Sequence, residues 1–255
     1  MTAGVAVPTG PRYLRLREEV LEYLWQEFPS HCIMMTDPQT RRVIDLAAGR
    51  AAAHGFTAAG QVCSWITMMV FCGAFFDEDP LCPWASETLR ATSGQSRDDA
   101  LRSLFEAMNT ALDPVVGQTG EHYRRALLWA MALRFDTIAA DSEGSPDQAV
   151  ERWLRTGFPE KHASLTREQM SLLASEAQAR ALQFGLAVRP GAILCALLMA
   201  LLGIHIDRDP LYAWVGDVLR DDSVLDPMAK TKRLHDRAIA MLRRHLVVER
   251  YSQPE

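Results

Sequence analysis

The chain has 255 residues, 48% of them hydrophobic, with a formal charge of -5 and a pI near 5.8. That much apolar material builds a large core, in one elongated domain or two small ones. The acidic balance argues against a nucleic-acid partner, which needs a concentrated basic surface, and Arg and Lys interspersed with Asp and Glu leave no polybasic patch for a membrane.

Met1 to Arg12 holds no basic region followed by an apolar run, so no secretory signal is expected and the cytoplasm is the expected compartment. From Arg15 to Glu27, Leu16, Val20, Leu21, Leu24 and Trp25 fall at helical spacing, and Pro29 stops the run. Thr36 with Gln39 fits a capping box, opening a helix that ends at Gly55. Val62 to Cys72 carries no charge and predicts a buried helix ending at Gly73. Asp79 followed by Pro80 is the order of an N-cap and first helical position, and the short helix it opens carries Trp84 and ends near Arg90. A fifth helix starts after Ser96, with Asp99 three residues on, and runs with Leu101, Leu104, Phe105, Met108 and Leu112.

Thr119 to Ala140 reads as one longer helix with the stripe Tyr123, Leu127, Leu128, Met131 and Phe135, and Asp141 to Pro146 reads as a loop. The pattern then returns. Gln148 to Thr156 is helical, Thr166 with Gln169 opens a helix ending at Gly185, and uncharged Ala192 to Leu202 ends at Gly203. Asp209-Pro210 precedes a short helix with Trp214 that ends near Arg220. Asp226-Pro227 opens the last helix, with Leu234, Ala238, Met241, Leu242 and Leu246. No alternating strand pattern stands out, so the fold class is all-α with about eleven helices.

The return is ungapped at 130 residues. Over Gly55 to Arg90 and Gly185 to Arg220, ten of 36 positions coincide, where chance gives roughly two. They are Gly55/Gly185, Met69/Met199, Gly73/Gly203, Asp77/Asp207, Asp79/Asp209, Pro80/Pro210, Leu81/Leu211, Trp84/Trp214, Leu89/Leu219 and Arg90/Arg220. The register extends outward through Phe28/Phe158, Thr36/Thr166, Arg50/Arg180 and Leu104/Leu234. The expected architecture is two tandem helical repeats of about five helices each, residues 13–112 and 147–246, joined by the unrepeated linker 113–146. The two apolar helices are expected to cover each other's exposed sides across an internal pseudo-twofold axis. Pro190 to Ile206 gives 17 uncharged residues, short of the ~20 a membrane span needs, so it reads as a core helix.

Asp77/Asp79 and Asp207/Asp209 are the nearest thing to a chemical motif. Calcium wants six to eight oxygens, and no further acids with an EF-hand glycine follow, so a structural role is expected: Asp79 and Asp209 as helix caps, Asp77 and Asp207 fixing the turn. Trp84 and Trp214 read as packing residues. The five cysteines form no Cys-x-x-Cys pair and are expected to be buried thiols, and the seven histidines are dispersed. No nucleophile elbow, phosphate loop, zinc-helix pair or dinucleotide fingerprint occurs, so no catalytic residue, metal or cofactor is assigned.

Gly73-Ala74-Phe75-Phe76-Asp77-Glu78-Asp79-Pro80-Leu81-Cys82-Pro83-Trp84-Ala85 resembles a pattern of helical bacterial proteins associated with type VI secretion effector loci, Gly-x-x-Phe-Asp-x-Asp-Pro-x-x-Pro-Trp-Ala. The second copy keeps Gly203, Asp207, Asp209, Pro210 and Trp214 but has Ile206, Ala213 and Val215 in place of Phe, Pro and Ala. The resemblance implies an accessory or adaptor role beside secreted effectors and carries no catalytic residues with it. The expected function is therefore a non-enzymatic protein-interaction module, an adaptor or chaperone-like partner of a secreted effector. The alternatives are an immunity protein against a toxin and an enzyme with a cleft between the repeats. Tyr123, Arg124 and Arg125 of the linker helix are the expected partner contacts.

Overall fold

The computed structural model describes residues 10–252; the first nine residues, where no secretory signal is expected, lie outside them. Among the described residues there are fourteen α-helices and no strand. The amphipathic run near the N-terminus forms α1 (Pro11–Glu27), with Val20 and Leu24 fully buried. Pro29 does not merely stop it: it is the first residue of α2 (Pro29–Met34), where a missing N–H costs nothing. Then follow α3 (Asp37–Ala53), α4 (Ala59–Cys72), α5 (Pro83–Ala91) and α6 (Arg97–Val116). The last runs four residues past the expected end at Leu112 and through Pro114.

The expected single helix Thr119 to Ala140 is two, α7 (Glu121–Ala132) and α8 (Phe135–Ala139). At the break the Leu133 carbonyl stands 3.0 Å from Nε2 of His235, and the turn lets Phe135 and Ile138 reach the core. The second half of the chain forms α9 (Pro146–Gly157), α10 (Pro159–Ser164), α11 (Arg167–Gln183), α12 (Val188–Leu202), a 3₁₀ turn at Pro210–Tyr212, α13 (Ala213–Leu219) and α14 (Pro227–Ser252). The helix count is thus above the expected eleven, chiefly because α2, α8 and α10 are too short to show a period. The bounds of α2 and α10, and of α3 and α11, are offset by 130 residues at both ends.

The start signals work as local chemistry predicts. Gln39 Oε1 accepts the Thr36 N–H at 2.8 Å, and Thr166 and Gln169 serve each other's backbone at 3.0 and 3.2 Å. Ser96 caps α6 through the Asp99 N–H, and Asp226 caps α14 through the Ala229 N–H.

Burial divides into two apolar clusters. One is built on Val43, Ile44, Trp65, Ile66, Met69 and Leu104, the other on Leu154, Leu173, Ile193, Leu197, Met199 and Leu234. The apolar helices do not cover each other as expected. α4 packs against α1, α3 and α6, while α12 packs against α8, α9, α11 and α14. Each is wrapped by its own neighbours because a helix without a polar face must be enclosed on several sides, and the two come together only at their C-terminal ends. Across the middle the chain interlocks. α14 lies on α2 and α6 lies on α10. Leu81 belongs to the cluster of the second half, and Leu211 to that of the first.

Candidate functional site

The motif residues sit where the two Asp-Pro loops meet. Gly73 and Gly203 end α4 and α12 at φ +91° and +93°, a conformation that disfavours any side chain. A methyl on Gly73 would fall 2.6 Å from the Leu202 carbonyl oxygen and 3.4 Å from Gly203 Cα. Only glycine lets the two backbones approach this closely.

Asp79 and Asp209 are 5% and 3% exposed, and each carboxylate accepts two backbone N–H groups. Asp79 takes Leu81 N–H at 2.7 Å and, across the junction, Ile204 N–H at 2.9 Å; Asp209 takes Leu211 N–H and Ala74 N–H, both at 2.8 Å. The expected cap role is therefore realised for Asp209, at the start of the 3₁₀ turn. Asp79 is no cap of an α-helix, since α5 starts only at Pro83; it closes a turn onto Leu81 and ties the two loops together. Burial raises both carboxyls above their ordinary value against the pull of these donors, Asp209 to about 7.

Asp77 and Asp207 bind arginines from α3 and α11. Arg50 donates through Nε at 2.8 Å and Nη2 at 2.7 Å to Asp77, and Arg180 Nε donates to Asp207 at 3.0 Å. These arginines belong to the repeated register, and that was the signal by which their pairing with the repeated aspartates could have been read. His54 Nε2 stands 3.1 Å from Asp77, with its ring stacked on Trp65. Burial works to raise the Asp77 carboxyl, but the His54 and Arg50 hydrogen bonds outweigh it and hold it below the usual range.

Three further contacts cross the junction. Glu78 pairs with Arg208, Phe75 meets His205 edge-on at 5.4 Å, and the Arg208 guanidinium lies 4.2 Å over the Phe75 ring. Glu78 also takes Arg50 Nη2 at 3.1 Å. Burial, reinforced by Arg208, lowers the His205 imidazole to about 4. The crevice between the loops has a cavity volume of about 0 Å³, with no room for a water molecule, against the roughly 300–1,000 Å³ of a small-molecule site, so the junction is packed rather than a cleft.

Trp84 and Trp214 are partly buried against opposite clusters, and Trp84 stacks on Phe76 at 5.8 Å. Not all five thiols are buried as expected: Cys32 and Cys195 are, while Cys63, Cys72 and Cys82 are half-buried, and all five are free. Among the described residues no group of three His, Cys, Asp or Glu side chains stands close enough to hold a metal ion, and no helix is long and apolar enough to cross a membrane.

Tyr123, Arg124 and Arg125 are on α7, and all three are exposed, with the Tyr123 phenol near enough to feel Tyr212 of the 3₁₀ turn. Leu128 on the same helix is 55% exposed, while Leu127 and Ala130 face the core. Arg125 pairs with Glu160 of α10. The structure thus does not gather Arg124 and Arg125 into the motif's hydrogen-bond network, while Tyr123 stands beside Tyr212, three residues from Asp209. Comparison of the chain with protein-family models, curated proteins and solved structures found no match.

Proposed function

We propose that the chain is a non-enzymatic protein-interaction module of the bacterial cytoplasm, an adaptor or chaperone-like partner of a secreted effector. In this reading two tandem helical units, residues 13–112 and 147–246, clasp each other at the Asp-Pro loops and act as a rigid base. The observation that carries it is α7, which lies between the two units. It turns Tyr123, Arg124, Arg125 and Leu128 outward, while Leu127 and Ala130 anchor its other face. An aromatic and an aliphatic side chain beside two guanidiniums is the composition of a protein contact, where aromatics and Arg are enriched. The offset of the helix bounds and the reciprocal Asp79 and Asp209 hydrogen bonds support the tandem units. The likeness of Gly73 to Ala85 to proteins of type VI secretion effector loci supports the class of partner.

The test is recovery of the tagged protein from its native host. One effector in stoichiometric amount is expected with the wild type and lost with Arg124→Glu, whose melting temperature stays within a few degrees because an exposed substitution costs little. Retention of the effector by that variant would remove α7 from the contact. Recovery of a small molecule alone would overturn the adaptor reading.

A further inference from the structure

Two residues that are equivalent across a twofold axis and touch each other must straddle that axis. Three such pairs, each 130 residues apart, meet at the junction: Gly73 with Gly203, Phe75 with His205, and Glu78 with Arg208. The buried hydrogen bonds off the axis form a matching pair instead, Asp79 to Ile204 and Asp209 to Ala74. The distinction has a physical consequence. Reciprocal contacts would survive if either half were paired with a copy of itself, because each side supplies the same groups. The charged axial contact would not. A self-paired first half sets Glu78 against Glu78 and Phe75 against Phe75. A self-paired second half sets Arg208 against Arg208, without the Phe75 ring that it now covers, and His205 against His205.

We propose that Glu78/Arg208 is the specificity determinant that makes each half of this chain accept the complementary half and reject its own kind. Like-charge contact at an interface acts against the wrong partner more than it strengthens the right one. The arrangement closes the clasp within one chain, whereas halves that tolerated their own kind would link chain to chain. This rests on the tandem reading of the chain.

The experiment uses the full chain, with a protease site inserted after Gln118, in the exposed turn between α6 and α7. Wild type and the double reversal Glu78→Arg/Arg208→Glu are each folded intact, cleaved, mixed, taken through urea and returned to buffer. Native mass spectrometry then counts parental against mixed complexes. Both mixed complexes bring like charges together, so parental complexes should exceed them by about fivefold or more, a modest factor because the pair is partly exposed. Equal populations would overturn the proposal. Should the double reversal fail to fold, Glu78→Lys/Arg208→Asp replaces it, with the same criterion. Separation of the cleaved wild-type halves on gel filtration would instead sink the tandem clasp itself, so the two failures are distinguishable.

Discussion

Each buried aspartate holds two N–H groups that have no other acceptor in view, one of them from the opposite loop. Asp79→Ala and Asp209→Ala should therefore each cost about 2–4 kcal/mol in urea unfolding, above the 0.5–2 of a lost cap, because two buried donors are orphaned at once. The pH dependence has a definite sign. Asp209 titrates near 7 when folded and near 3.8 as a free carboxyl, so between these values the folded chain keeps a proton that the unfolded chain has released. Its contribution to stability is greatest in acid and declines from about pH 4 to about pH 7. The stability difference between wild type and Asp209→Asn, measured by urea unfolding across that range, should fall as pH rises and level off above it. Gly73→Ala should destabilise more than Gly203→Ala in the same assay. Both incur the ~1–3 kcal/mol of a glycine-only conformation, but only the first drives its methyl into a backbone carbonyl at 2.6 Å, against 3.2 Å for the nearest atom at Gly203.

At the scale of elements, the helices whose ends carry their own chemistry were legible in the sequence. Thr166 with Gln169 and Ser96 with Asp99 satisfy backbone donors within four residues, so nothing distant is needed to read them. What escaped was set by tertiary contact. The break after Ala132 has neither Gly nor Pro to announce it and answers to His235, 102 residues on. Pro29 reads as a stop because proline cannot continue a helix, yet it begins α2, as a proline begins a helix equally well. The junction was half legible: the repeated Asp and Gly mark it, but their bonding to the opposite loop does not follow from spacing. The same holds for α4 and α12, whose missing polar faces were visible while their true neighbours were not. Ala192 to Met199 is buried at every position, so Met199→Asp should leave the chain without a cooperative unfolding transition at neutral pH, as followed by near-ultraviolet circular dichroism.

For the molecule as a whole, Leu81 and Leu211 each complete the other half's core, and α6 and α14 each cover a helix of the other half. Neither core is finished alone. Urea unfolding should therefore be a single transition, with tryptophan fluorescence and helical circular dichroism superimposable; separated midpoints would mean that the cores melt independently. The Asp209 contact with Ala74 closes over 135 residues, and this bears on how the chain is made. At 5–20 residues per second, the ribosome needs on the order of ten seconds to go from α4 to the 3₁₀ turn. Throughout that interval the emerging N-terminal helices wait with Ala74 N–H unmet and the seat of Leu211 open to solvent. Quality-control factors thus meet this chain first as an incomplete core, and its most hazardous moment is its own translation.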